Sequence, residues 1–227
     1  MSLKAVLFDM DGVIVDTEPL HRKAYYKMFS DVNIEVSQDL YESFTGQSTI
    51  NICKTLCERY SLSESAETLV RIKRKHFKYL FANDTDLSLL DGVLHLIKNL
   101  HKNGITLVLA SSASMPNIDR IFNRFDLNQY FIAKLSGADL KESKPHPEIF
   151  IKAAKASGHK KENCVVIEDS TNGIAAAKAA GIFCIGYDSL HSKNQDYSKA
   201  DWVVHDFSKL GYKEINAKLV LKKLDND

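Results

Sequence analysis

Several features that would mark a membrane, secreted or nucleic-acid-binding protein are missing from this sequence. Its longest apolar runs, such as 105–110, are too short to span a bilayer. No basic segment followed by a long apolar stretch stands at the N-terminus, so we expect no secretory signal. The formal net charge is only +1, which gives no strong field for nucleic acid or an anionic membrane. We therefore expect neither nucleic acid nor a membrane as a partner.

Cysteine is also scarce, with four residues in 227. Cys53 and Cys57 stand four positions apart on a predicted helix, which places both on one face. A zinc site needs further Cys or His ligands at finger-like spacing, and none follows. Thiols buried in a reducing compartment explain the pattern better, so we expect a cytoplasmic protein.

Apolar runs of strand length alternate with helical patterns along most of the chain. The runs are 4–9, 105–110, 164–168 and 183–187, and the helical patterns are 93–102, 115–125, 147–157 and 171–180. Near-continuous apolar strands suit a sheet covered on both faces. The alternation predicts an α/β fold with a doubly wound parallel sheet, to which a short strand and a helix after Trp202 are added.

One long segment breaks this alternation and shows only helical periodicity. Its amphipathic patterns are 19–29, 49–60 and 64–81, and polar, turn-rich segments bound it. We therefore predict an α/β core formed by 1–16 and 85–227, with a helical cap inserted as 17–84. Nothing in the sequence requires more than a monomer.

Polar residues follow the predicted strands at the edge where open parallel sheets bind their ligands. They are Asp9, Asp11, Ser111, Lys144, Glu168 and Asp169. The carboxylates of Asp9 and Asp169, with Glu168 as a further candidate, offer the hard oxygen ligands that Mg²⁺ prefers. The hydroxyl of Ser111 and the charge of Lys144 suit the oxygens of a phosphoryl group.

Each of these residues also has an ordinary structural interpretation. The Asp-x-Asp-Gly of 9–12 is commonly a turn, and Ser111 could cap the next helix. Lys144 could stand at a helix start, and 168–170 could cap the following helix through its dipole. Their joint placement at consistent strand ends favours a catalytic site.

Four motifs, in this order, resemble those of the haloacid dehalogenase superfamily. They are 8–13 with 16–18, then 110–112, 143–145 and 168–170. The helical insertion after the first motif resembles the β-phosphoglucomutase-like branch of that superfamily. The resemblance covers nearly the whole chain.

This resemblance implies a phosphoenzyme mechanism. Asp9 would attack phosphorus and form an aspartyl-phosphate, while Asp11 would act as general acid and then as base. Ser111 and Lys144 would bind the transferring phosphoryl group. The implied Mg²⁺ ligands are Asp9, the main-chain carbonyl of Asp11, Asp169 and Glu168.

Mutases of this branch bind a second phosphate at the cap, and their residues for this task are replaced here. Thr45 and Thr49 stand where a basic pair would flank Gly46, and Ser114 and Met115 replace a Lys-Asn pair. A hydroxyl does not supply the bidentate contact of a guanidinium. The polar loop suits the hydroxyls of a sugar or polyol monophosphate instead.

Two features keep the mutase hypothesis open: His21, near the general acid, and Lys75, in the basic cluster 73–75. The cluster could equally be a solvated helix face, and His21 could pack at the hinge. We predict a Mg²⁺-dependent phosphatase acting on a small phosphorylated metabolite. The alternative is a β-phosphoglucomutase, and a remote one is a non-catalytic phosphate-binding protein. The predicted substrate-binding residues are His21, Thr45, Gly46, Gln47, Lys75 and Ser112.

Overall fold

The computed structural model describes residues 2–44, 47–188 and 194–224. In these residues six parallel strands form one sheet in the order β3-β2-β1-β4-β5-β6. The strands are β1 (Ala5–Phe8), β2 (Thr106–Ser111), β3 (Phe131–Ser136), β4 (Cys164–Glu168), β5 (Phe183–Tyr187) and β6 (Trp202–Val204). The chain order reverses at β1, which lies between β2 and β4.

Apart from the short α2, the helices follow the predicted patterns closely. They are α1 (Glu18–Asp31), α2 (Gln38–Glu42), α3 (Thr49–Tyr60), α4 (Ala66–Asn83), α5 (Val93–Lys102), α6 (Met115–Arg124), α7 (Glu148–Ser157), α8 (Thr171–Ala179) and α9 (Tyr212–Leu224). Serine side chains cap α3 and α4, where Ser48 and Ser65 accept hydrogen bonds from main-chain N–H groups of the first turn.

Helices cover both faces of the sheet, which confirms the predicted doubly wound α/β fold. Successive residues of a strand point to opposite faces. Accordingly, Val6 and Phe8 of β1 lie in a core with residues of α5, α6 and α9, whereas Ala5 and Leu7 lie in a second core with residues of α7 and α8. Burial on both faces explains why these strands are near-continuous apolar runs.

Helices α1 to α4 follow β1 and hold a hydrophobic cluster of their own. Met28, Leu56 and Leu69 belong to this cluster, while Leu20 and Phe77 extend from α1 and α4 into the main core. Helices α1 and α4 pack against each other. Helices α1 to α4 thus pack around a core of their own, and their action as a cap, 17–84, stays a prediction.

Two elements differ from the prediction. The pattern did not predict β3, because this edge strand is only partly buried: Ile132 is 64% exposed, and Lys134 interrupts the apolar run. Helix α2 was also missed, since five residues are too few to show helical periodicity. No helix of the described ranges has the length and apolar character needed to cross a membrane.

Candidate active site

Lys144 lies at the centre of the candidate site and joins the ends of three strands. Its Nζ donates to Asp9 Oδ1 at 2.5 Å, to Glu168 Oε1 at 2.7 Å and to the main-chain oxygen of Ala110 at 3.1 Å. The three acceptors match the three protons of an ammonium group. The side chains of Lys144, Asp9 and Glu168 are 2%, 8% and 1% exposed, so these contacts form a buried charged network.

Burial and charge act together on this network. Burial alone would lower the pKa of Lys144, but the carboxylates of Asp9 and Glu168 outweigh it and raise that pKa above its usual value. The pKa of Asp9 is raised, chiefly by burial; Lys144 opposes the shift, and the charges of Glu168 and Asp11 add to it. Carboxylates thus outnumber cations here, which favours binding of a further cation.

Glu168 is held in place from the opposite side. Its Oε2 accepts from the Ser170 N–H at 2.8 Å and from the Ser170 hydroxyl at 2.9 Å. Its carboxylate also lies against Gly173, where a Cβ would stand 1.7 Å from Oε1. Both oxygens are therefore engaged by protein groups, and Glu168 positions Lys144.

Asp11 receives contacts from Thr17 and from helix α1, and a lysine of α4 supports the second of these. The Thr17 hydroxyl donates to Asp11 Oδ1, and Nε2 of His21 lies 3.5 Å from the same oxygen. On the other side of the imidazole, Nδ1 lies 2.6 Å from Nζ of Lys73. Burial opposes ionisation of Asp11, but the hydrogen bond from His21, followed by that from Thr17, lowers its pKa.

Lys73, rather than the predicted Lys75, reaches this site. Lys73 is 2% exposed, and its Nζ lies 4.6 Å from the ring centroid of Tyr25 and 5.2 Å from that of Phe77. Burial lowers its pKa to about 8, although the carboxylates of Asp11 and Glu18 oppose the shift. Lys75 is exposed and does not line the cavity, because two residues of helix rotate its side chain away from α1.

A cavity of about 890 Å³ opens between the strand ends and helices α1 to α4. It brings together most of the predicted residues: Asp9, Asp11, His21, Gln47, Ser112, Lys144, Glu168 and Asp169. Ser111 is fully buried and does not line the cavity, and its hydroxyl accepts from the Ala113 N–H at 3.1 Å. Thr45 and Gly46 lie outside the described residues.

The donor set fits the Mg²⁺ that the family resemblance implies. No three His, Cys, Asp or Glu side chains within 2–44, 47–188 and 194–224 are grouped as a metal site. However, Mg²⁺ commonly uses only one or two carboxylates and completes its shell with water and substrate phosphate. Asp9 and Asp169, with the main-chain oxygen of Asp11, are such hard oxygen donors at the ends of the neighbouring strands β1 and β4.

Sequence reasoning missed Asn117, which lies in the first turn of α6 and is 7% exposed. It lines the cavity, and its Oδ1 accepts from Arg120 Nη1 at 2.6 Å. Because a guanidinium only donates, the amide oxygen must face Arg120, which leaves the NH₂ group for the cavity. The Asn-x-x-Arg spacing was the available signal. Arg22, Arg71 and Arg74 of α1 and α4 also line the cavity and were not predicted.

Comparison with known proteins places this geometry in a family. The model of the haloacid dehalogenase-like hydrolase family matches residues 6–187. The chain is 32% identical to a phosphorylated carbohydrates phosphatase of Thermotoga maritima, covering 85% of this chain and 88% of that protein. It is 31% identical to the β-phosphoglucomutase of Bacillus subtilis, covering 92% of each.

A solved structure of a related protein also matches this fold. The crystal structure of β-phosphoglucomutase from Clostridium difficile superposes with a TM-score of 0.84 at 29% identity, over 98% of this chain and 99% of that one. The relatives are phosphatases and phosphomutases, and a sugar phosphatase or phosphoglucomutase-like function is supported. The chain is therefore an enzyme of the haloacid dehalogenase-like hydrolase family and belongs to its β-phosphoglucomutase-like branch.

Proposed function

We propose that this enzyme is a Mg²⁺-dependent phosphatase that hydrolyses sugar or polyol monophosphates through a phosphoenzyme on Asp9. The observation that carries the proposal is the placement of Asp9 against Lys144, with Asp11 on the wall of the same cavity. Lys144 offers positive charge beside the nucleophile, where the phosphoryl oxygens must lie during attack.

In the first half-reaction an Asp9 carboxylate oxygen bonds to phosphorus, and the ester oxygen departs with its electron pair. Asp11 supplies the proton that this alkoxide needs. The lowered pKa of Asp11 describes the protein without substrate. An arriving phosphate dianion opposes the negative charge of Asp11 and so favours its protonated form.

In the second half-reaction Asp11 is already a carboxylate, having given up its proton. It takes a proton from water, and the water oxygen then attacks the phosphorus of the phosphoenzyme and regenerates Asp9. The Thr17 and His21 contacts hold the Asp11 side chain in place for both steps.

The proposed metal ligands are Asp9, Asp169 and the main-chain oxygen of Asp11. Bound Mg²⁺ would neutralise part of the phosphate charge, which lowers the repulsion that an attacking carboxylate meets. Glu168 would act beside this set by holding Lys144, as its two engaged oxygens indicate.

The β-phosphoglucomutase alternative also has an observation in its favour. Arg22, Arg71 and Arg74 line the helical side of the cavity, and guanidinium groups are the side chains best suited to a second phosphate. The phosphatase remains the better proposal because Thr49, which also lines the cavity, is neutral where the mutases carry charge.

The remaining parts of the proposal concern the protein's setting. We infer that it acts in the cytoplasm, since its four cysteines, all in the described ranges, form no disulfides. We propose separately that it acts as a monomer. We also propose that residues 17–84 move as a cap, which closes to exclude water and opens to release product.

The decisive experiment measures phosphate release from a panel of sugar and polyol monophosphates, with Mg²⁺ and with chelator. Asp9→Asn should abolish release, and chelator should abolish it for the wild type. Absence of release from every ester would overturn the phosphatase proposal. Conversion of β-glucose 1-phosphate with a bisphosphate primer, without net phosphate release, would support the mutase.

A further inference from the structure

A contact between helix α2 and the segment that follows β5 crosses the rim of the cavity. Nδ2 of Asn194 donates to Oε2 of Glu42 at 2.6 Å, and the two residues are 152 positions apart. The other carboxylate oxygen of Glu42 accepts from Gln38 Nε2 at 2.7 Å. Glu42 lines the cavity, so this contact joins the helical side of the cavity to the sheet side.

Residues 194–197, which we call the rim segment, are anchored on the sheet side by several hydrogen bonds. Oε1 of Gln195 accepts from the Thr171 N–H at 2.9 Å, and the Asp196 N–H donates to Thr171 Oγ1 at 2.7 Å. The Tyr197 hydroxyl donates to the main-chain oxygen of Asp169 at 3.0 Å. The rim segment is therefore fixed to the loop that carries a proposed metal ligand.

The sequence of β5 accommodates this anchor. A Cβ on Gly186 would stand 3.0 Å from the Tyr197 ring and 3.0 Å from Ala200, so the ring packs directly on the strand's backbone. Asn194 adopts a φ of 59°, in the left-handed region that asparagine and aspartate tolerate better than most residues. Its backbone conformation thus fits the residue that makes the rim contact.

We propose that the rim segment is a positioning element that holds the helical cap closed against the metal-binding loop, through the hydrogen bond between Asn194 and Glu42. This inference rests on the proposed cap movement. Glu42 belongs to α2 and would move with the cap, whereas the hydrogen bond from Tyr197 to Asp169 lies wholly on the sheet side. Opening of the cap must therefore break the rim contact and leave the sheet-side anchor intact. The rim contact therefore stabilises the closed state in which substrate is enclosed.

The test is a charge change with a matched rescue. Asn194→Asp keeps the left-handed backbone but places a carboxylate against Glu42, so it should open the cap. Glu42→Gln in the same chain exchanges donor and acceptor: the new amide can still accept from Gln38 and can donate to the carboxylate at 194. Asn128→Asp is the control, since Asn128 also donates its amide in an exposed turn, to Asn123 at 2.8 Å.

Cap position is measured as the distance between spin labels on Lys54 of α3 and Lys155 of α7, both exposed, introduced through non-cysteine chemistry. In Asn194→Asp the distribution of label-to-label distances should differ from that of the wild type, and kcat/KM should fall by about tenfold. The double variant should return both values to within about twofold of wild type. The control should match wild type.

Wild-type distances and kinetics for Asn194→Asp would overturn the inference, as would failure of the double variant to restore them. The distance measurement needs no turnover. If the wild type hydrolyses no ester, the proposed function is wrong. The label distances would still test whether the rim contact holds the cap closed.

Discussion

Nζ of Lys73 lies 2.6 Å from Nδ1 of His21, although the residues are 52 positions apart on different helices. An ammonium group can only donate, so Nδ1 accepts and the ring proton lies on Nε2, which faces Asp11 at 3.5 Å. The His21 ring also stacks on Phe77, with centroids 4.4 Å apart. A buried lysine of α4 therefore fixes which imidazole nitrogen faces Asp11, the proposed general acid.

Replacing Lys73 by methionine should stabilise the protein and lower its activity. Methionine fills similar space without an ammonium to desolvate, and the lowered pKa of Lys73 puts the cost of holding that charge in the folded protein at about 3 kcal/mol. The activity should fall because His21 loses the group that fixes its ring. Urea unfolding and phosphate-release kinetics at pH 7 measure both effects.

The stability gain should depend on pH. The pKa of Lys73 is lowered from 10.5 to about 8, so the unfolded chain holds this proton more tightly than the folded one. The cost in the wild type is complete below pH 8, and the wild type's free energy of unfolding rises towards the variant's between pH 8 and 10.5. An equal gain at pH 7 and pH 10.5 would contradict this.

Gly173→Ala should destabilise the protein although it lies in helix α8. Alanine normally favours a helix by about 1 kcal/mol over glycine. Here the added Cβ would stand 1.7 Å from Glu168 Oε1 and displace the carboxylate from Lys144 and Ser170. Disruption of a buried charged network costs about 3 kcal/mol, which outweighs the propensity gain.

Thermal unfolding and phosphate release measure the outcome for Gly173→Ala. Adding Glu168→Asp shortens the carboxylate and makes room for the new methyl group, so part of the lost stability should return. A fully active, more stable Gly173→Ala variant would show that Glu168 can move without consequence.

Asn117→Asp should raise KM by about tenfold, because it replaces a cavity-facing donor by an acceptor that repels an anionic substrate. The bond from Arg120 can be kept, since the new oxygen also accepts. Asn123→Asp makes the same charge change on the exposed side of α6 and should leave KM unchanged.

Inhibition by inorganic phosphate separates two contacts for Asn117. A weaker inhibition in Asn117→Asp assigns the amide to a phosphate oxygen, and an unchanged one assigns it to a substrate hydroxyl. If neither KM nor inhibition changes, Asn117 does not contact substrate.

Arg124→Lys should impair the segment that joins α4 to α5, which leads from the proposed cap back to the core and about which we propose that the cap moves. The guanidinium donates to the main-chain oxygens of Asp84 at 2.9 Å, Leu87 at 3.3 Å and Phe81 at 3.4 Å. A lysine keeps the charge but not the planar fork that reaches these acceptors. We expect a loss of about 1–2 kcal/mol in stability and a lower kcat, with inhibition by inorganic phosphate little changed.

Arg59→Lys serves as the control for Arg124, because Arg59 is exposed in the last turn of α3. Denaturant unfolding and steady-state kinetics provide the comparison. Equal losses of turnover and of phosphate inhibition would contradict a role in cap movement for the segment that joins α4 to α5.

The local sequence pattern predicted much of the fold, because a strand that is buried on both faces is apolar along almost its whole length. The runs at β1, β2, β4 and β5 are almost wholly apolar, and the structure buries them fully or nearly so. The edge strand β3 has no such apolar run, since one side of an edge strand meets solvent.

The candidate catalytic and metal-binding residues at the strand ends were predictable for a related reason. A parallel sheet brings the carboxyl ends of its strands to one edge, so Asp9, Glu168 and Asp169 had to meet once the strands were known. Lys144 follows no strand directly, and its motif, rather than the sheet, pointed to it.

Sequence alone therefore determined the doubly wound sheet, the inserted helices and the acidic edge, because these depend on hydrophobic period and strand polarity. It did not determine which lysine of α4 enters the cavity, or that Asn117 lines it. Those facts depend on the rotation of each helix against its neighbour, which is settled when side chains from distant parts of the chain pack together.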